Sequence, residues 1–157
     1  MKARASALLG LALLLTGVAL ATPVGVLRIS PGDVDLPLAD GARYTYGYRQ
    51  SIYVVPVTEI HERDGERLRI VEARSTDPRA VEYFRWDGAL RHDGDLYRQA
   101  APRTTVPALV IRITPDGHQE LQGDGWSVDL RDRFGESIVT VRPVTIPRAV
   151  ALLEGLR

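Results

Sequence analysis

From Val24 onward the chain alternates apolar and polar residues in short runs separated by turn formers, the period of two that builds half-buried strands. Val24 to Ile29 reads as a first strand, ended by Ser30-Pro31-Gly32-Asp33. Tyr44, Tyr46 and Tyr48 alternate with Arg43, Thr45 and Arg49, so the next strand carries an aromatic stripe aimed at the core or at a cleft. Ile52 to Val57 is rich in β-branched and aromatic side chains and continues through Thr58 to Ile60. Pro56 has no N–H to give a ladder, which predicts an edge or a bulge there. Asp64-Gly65 is a tight-turn pair that folds this strand onto Arg67 to Arg74 as an antiparallel hairpin.

After a break at Thr76-Asp77-Pro78, Val81 to Trp86 reads as a strand, turned by Asp87-Gly88 into Ala89 to Arg91, with a further turn at Asp93-Gly94. Gln99 to Thr105 has no periodicity and reads as a loop. Val106 to Ile113, His118 to Leu121, Trp126 to Leu130 and Ser137 to Val141 complete the strands, parted by Pro115-Asp116-Gly117 and Gly123-Asp124-Gly125. Only the end has helical spacing: Ala149, Leu152, Leu153 and Leu156 recur as on one helix face, with Pro147 in the first turn. Regularly spaced short strands and one short C-terminal helix predict an antiparallel β-sandwich or barrel-like domain.

The front of the chain departs from this pattern. Lys2 and Arg4 precede Ala5 to Ala21, an uncharged Leu-rich run ending Ala19-Leu20-Ala21, which reads as a signal peptide over residues 1–21 followed by a single domain over 22–157. The rival reading is an uncleaved anchor, since the run reaches the lower length for a membrane span. Both place the domain outside the cytosol, periplasmic or secreted. There is no cysteine, so neither disulfides nor a lipid-bearing cysteine is available and the domain stands on its core. Twenty basic residues balance twenty acidic ones, and arginines alternate with acids throughout, which argues against a nucleic-acid surface.

Candidate chemistry is sparse. Of three histidines, His92 in His92-Asp93-Gly94-Asp95 could join two carboxylates on a metal, although Asp-Gly pairs are ordinary turns. His61 beside Glu62 reads as an exposed polar pair. No Gly-x-Ser-x-Gly elbow, phosphate loop or dinucleotide fingerprint occurs, so neither a catalytic residue, a metal ligand nor a cofactor is assigned. In Glu82-Tyr83-Phe84-Arg85-Trp86, Glu82 would share a strand face with Phe84 and Trp86, putting a carboxylate beside an apolar surface; Glu59 poses the same question.

The segment from Tyr48 to Glu59 resembles the signature of the domain of unknown function 1850 family, matching at Tyr48, Ser51, Pro56, Val57 and Glu59, with the following hairpin and Ser75 also similar. Gln50 stands where that family usually has His, and Tyr53 where it often has Glu; Asp77 to Tyr83 lacks its glycine-alanine-glycine run. The resemblance implies a small exported protein often encoded beside TRAP transporters of the TAXI type. The leading expectation is a non-enzymatic binding or transporter-accessory domain whose ligand surface comprises Gln50, Ser51, Tyr53, Glu59 and Glu82, its partner a small molecule or a TRAP transporter component. The alternatives are a metal-dependent or serine hydrolase of the cell envelope built on His92, Asp93, Asp95 or His118, and a structural envelope protein without ligand.

Overall fold

The computed structural model describes residues 16–154; the expected leader lies mostly outside the described residues, and 16–21 are helical. The strands are β1 (Pro23–Ser30), β2 (Val34–Pro37), β3 (Arg43–Gln50), β4 (Val55–Asp64), β5 (Arg67–Ser75), β6 (Leu90–Asp93), β7 (Leu96–Ala100), β8 (Thr105–Val106), β9 (Leu109–Arg112), β10 (Glu120–Gly123), β11 (Trp126–Asp129) and β12 (Ile138–Pro147). Besides the helical segment 16–21, three short helices accompany them among the described residues: α1 (Pro78–Glu82), α2 (Leu130–Phe134) and α3 (Arg148–Glu154). The strands form two antiparallel sheets, one in the order β2-β1-β12-β9 and a larger one in the order β11-β10-β3-β4-β5-β7-β6, with β8 also paired to β5. The architecture is therefore the expected sandwich with its short C-terminal helix, and not a closed barrel.

Alternation along each strand makes the core. Leu27 and Ile29 of β1, Ile111 of β9 and Val139 and Val141 of β12 pack against Tyr44 and Tyr46 of β3, Leu68 of β5 and Leu121 of β10. Burying such side chains is the main favourable term in folding, on the order of 1.5–3 kcal/mol each. The Tyr stripe and the hairpin at Asp64-Gly65 form as expected, with Asp64 opposite Arg67.

One charged side chain crosses between the sheets. Arg63, on the inner face of β4 and only 4% exposed, donates to the carbonyls of Gly65 (2.8 Å), Leu38 (2.9 Å) and Val144 (3.1 Å) and to Thr145 Oγ1 (2.9 Å). Val144 and Thr145 belong to β12 in the smaller sheet, so the guanidinium ties the two layers together. Gly25 of β1, opposite Thr145, leaves room for it: a Cβ there would collide with the Arg63 guanidinium and stand 2.5 Å from the Leu38 carbonyl oxygen.

Several local expectations are corrected. Val81 to Trp86 is not a strand: Asp77 caps a helix, its carboxylate accepting from Arg79 N (2.9 Å) with Pro78 at the first turn, and Ala80 and Val81 are buried. An N-cap Asp followed by Pro is a helix start, and here it outweighs the alternation read after it. Ala89 to Arg91 consequently has no partner in that segment; β6 instead hairpins with β7, which takes Gln99 out of the expected loop. Ile52 to Val54 is a turn and β4 begins at Val55. Pro56 is not on an edge strand, because β4 lies between β3 and β5. It is tolerated because the β5 ladder starts one residue later, at Val57 opposite Ser75. The irregularity falls elsewhere, between Ile60 and His61. Val106 to Ile113 is split around Pro107 into β8 and β9, Leu130 begins α2 rather than ending a strand, and Pro147 closes β12 instead of opening the helix.

Candidate functional site

The inner face of the β3–β4 pair carries an unusual row of polar groups. Strand geometry places Tyr44 opposite His61 and Tyr46 opposite Glu59, all pointing into the sandwich. Tyr48 Oη donates to Glu59 Oε1 (3.0 Å), and His61 Nε2 lies 3.0 Å from Glu59 Oε2. Both oxygens of Glu59 are therefore engaged, one by the Tyr48 hydroxyl and the other by the His61 ring. Tyr44 stacks on the His61 ring with centroids 5.1 Å apart, and Tyr46 stacks on Tyr48 at 4.8 Å. His61 is fully buried, not the exposed partner of Glu62. Neighbours along a strand face opposite sides; Glu62 points outward to Arg43 and Arg69, while the partner of His61 is Glu59, two residues away on its own face. Tyr44 Oη and His61 Nδ1 are buried without a hydrogen-bond partner among the described residues.

Burial, reinforced by the Glu59 carboxylate, raises the pKa of Tyr44, Tyr46 and Tyr48 well above the ordinary phenol value; for Tyr46 a hydrogen bond with Gln119 opposes the rise. In the unfolded chain these phenols ionise near pH 10. The folded state therefore contributes stability that is complete below about pH 10 and is lost above it, at about 1.4 kcal/mol per pH unit for each withheld proton. Alkaline titration followed at 295 nm should show these three phenolates arriving together with loss of the β circular-dichroism signal; smooth ionisation at pH 10 with the fold intact would contradict the burial.

At the end of this row the chain turns. Gln50, itself buried, accepts from Tyr53 N through its side-chain oxygen (3.3 Å) and from Val54 N through its carbonyl (2.9 Å). The turn leaves Val54 at φ 58°, a left-handed conformation that a β-branched residue rarely adopts, and exposes Ile52 and Val54. Such strain persists where the surroundings enforce it and concentrates at binding sites. Val54→Gly should raise the unfolding free energy by about 1 kcal/mol in a urea titration, relieving that strain; no gain would mean that the turn carries none.

The turn forms one wall of an open cleft of about 460 Å³. Arg49, Gln50, Ser51 and Val54 line one side, and Thr114, Asp116 and Gly117 the other. Arg49 N donates to Gly117 O (2.6 Å), joining the walls, and buried Gln119 braces the second through Thr114 N (3.2 Å) and Arg112 O (2.8 Å). The side chains of Arg49, Ser51, Thr114 and Asp116 make no hydrogen bond or ion pair with other described residues, so a cation, a carboxylate and two hydroxyls stand available around one opening.

Of the five residues expected at a ligand surface, the structure gathers two here, Gln50 and Ser51. Tyr53 leaves the cleft and lies under Arg79 of α1, 5.0 Å from guanidinium carbon to ring centroid. Glu59 sits behind the turn in the buried row, and Glu82 is exposed on α1 rather than beside Phe84 and Trp86 on a strand. Sequence reading missed Arg49, Thr114 and Asp116; the turn signal of Pro115-Asp116-Gly117 marked a loop, but nothing local says which other turn it meets. His92 stacks on Tyr97 (4.4 Å), Asp93 pairs with Arg98 (2.7 Å) and Asp95 is exposed at the hairpin tip, while His118 is exposed in its own loop. Among the described residues no three His, Cys, Asp or Glu side chains are gathered as a metal site would need. Comparison with protein-family models, with curated proteins and with solved structures returns no match.

Proposed function

We propose that this chain is an exported, non-enzymatic binding domain, accessory to a transporter, which holds a small polar ligand in the cleft between the Gln50–Val54 turn and the Thr114–Gly117 loop. The observation that carries the reading is the convergence of Arg49 and Asp116, neither paired among the described residues, with the Ser51 and Thr114 hydroxyls around an opening large enough for a metabolite. A carboxylate on the ligand is matched by Arg49, and a donor on it by Asp116. The buried row from Gln50 through Tyr48 to Glu59 keeps the turn in place, which is what a preformed site requires. Export and the link to a TRAP transporter rest on the apolar leader and on the resemblance of Tyr48–Glu59 to the domain of unknown function 1850 family.

The test is a thermal-shift screen with small carboxylates and amino acids, followed by calorimetry. At least one probe should raise the melting temperature of the native protein, and Arg49→Gln with Ser51→Ala should abolish that rise at unchanged basal stability. A screen in which nothing shifts the native protein would leave the ligand-free structural role standing in its place.

A further inference from the structure

We propose that the end of the sandwich from which both termini emerge faces a lipid bilayer, with α3 lying in the membrane interface. This inference does not depend on the cleft. The first and last strands pair along their whole length, with Pro23 opposite Pro147. The Arg148 N–H at the start of α3 donates to Thr22 O (2.9 Å), so α3 begins one hydrogen bond away from the point where residues 16–21 enter the fold. Upstream of that point runs the uncharged apolar stretch Ala5 to Ala21, whose natural surroundings are a bilayer, whether as a leader being processed or as a retained anchor. The point where that stretch joins the domain, at Thr22, is therefore held beside the start of α3.

α3 is oriented to use this position. A helix packed on a soluble domain turns its large apolar residues inward, yet here Ala149 and Ala151 are the half-buried residues, and Val150, Leu152 and Leu153 point outward, the two leucines 55% and 66% exposed. Val18 and Leu20, in the segment that leads into Thr22, are exposed as well, so five of the ten exposed large apolar side chains among the described residues belong to the two segments joined by the Arg148–Thr22 hydrogen bond. Arg148, also exposed, is placed to meet lipid phosphate at the rim. An exposed apolar helix face bordered by a cation, at the strand end where an apolar segment enters the fold, matches a lipid headgroup boundary.

Because the chain has no cysteine, a single one can be labelled uniquely. Leu152→Cys and, as control, Ile52→Cys are made in the full chain and labelled with nitrobenzoxadiazole. Ile52 is equally exposed but lies beyond the opposite end of β4 from Arg63, the residue that contacts β12 near α3. Each protein is reconstituted with vesicles of phosphatidylcholine and phosphatidylglycerol at three to one. The label at 152 should brighten several-fold with a blue shift, and the label at 52 should stay aqueous. A label at 152 that stays aqueous in co-floating protein, failure of the chain to co-float, or an equal response at 52 would each overturn the proposal. So would brightening at 152 without vesicles as protein concentration rises, which would identify a second copy of the chain as the cover.

Discussion

Replacing Arg63 by alanine is expected to cost about 3–5 kcal/mol of unfolding free energy. Its guanidinium meets three carbonyls and one hydroxyl and forms no ion pair among the described residues, so its worth lies in donors rather than in charge neutralisation. Truncation leaves the Leu38 and Val144 carbonyls facing a void in the space that Gly25 keeps open for the side chain. Lysine restores the charge but not the planar fork, and Arg63→Lys should recover less than half of the loss. Urea unfolding of the three proteins measures this directly. A deficit under 1 kcal/mol for the alanine variant would mean that the two sheets are held by apolar packing alone.

Glu59→Ala should have a comparable effect, about 3–5 kcal/mol, by a different route. It removes the partner of both Tyr48 Oη and His61 Nε2 and leaves a buried imidazole and a phenol stranded. If that orphaning is the cause, the loss is not additive: Glu59→Leu combined with His61→Leu should cost less than Glu59→Leu alone, since the second change removes one of the groups left stranded. Thermal unfolding of the single and double variants decides it. A double variant as unstable as the sum of the singles would place the cost in cavity formation instead.

The sandwich was legible because its signal is local. Tyr44, Tyr46 and Tyr48 announce a buried face through spacing alone, and Asp64-Gly65 announces a hairpin through turn chemistry. The errors came where two local signals competed: alternation in Val81 to Trp86 against the cap at Asp77 and Pro78, which prevailed. For His61 the adjacent Glu62 is the misleading signal, because a strand makes the second neighbour, Glu59, the spatial one. Arg49 and Asp116 could not have been joined by any such rule, for the cleft depends on which loops the sheet order brings together, and that order is a property of the whole chain.

The pairing of β1 with β12 also governs when the molecule can fold. Leu27 and Ile29 acquire their central partner only when Val139 and Val141 arrive, and these come from the opposite end of the chain. Closing so long a loop is slow relative to forming the hairpins between. During synthesis the smaller layer therefore stays incomplete until the final strand has left the ribosome, so the larger sheet presents an uncovered apolar face up to that moment.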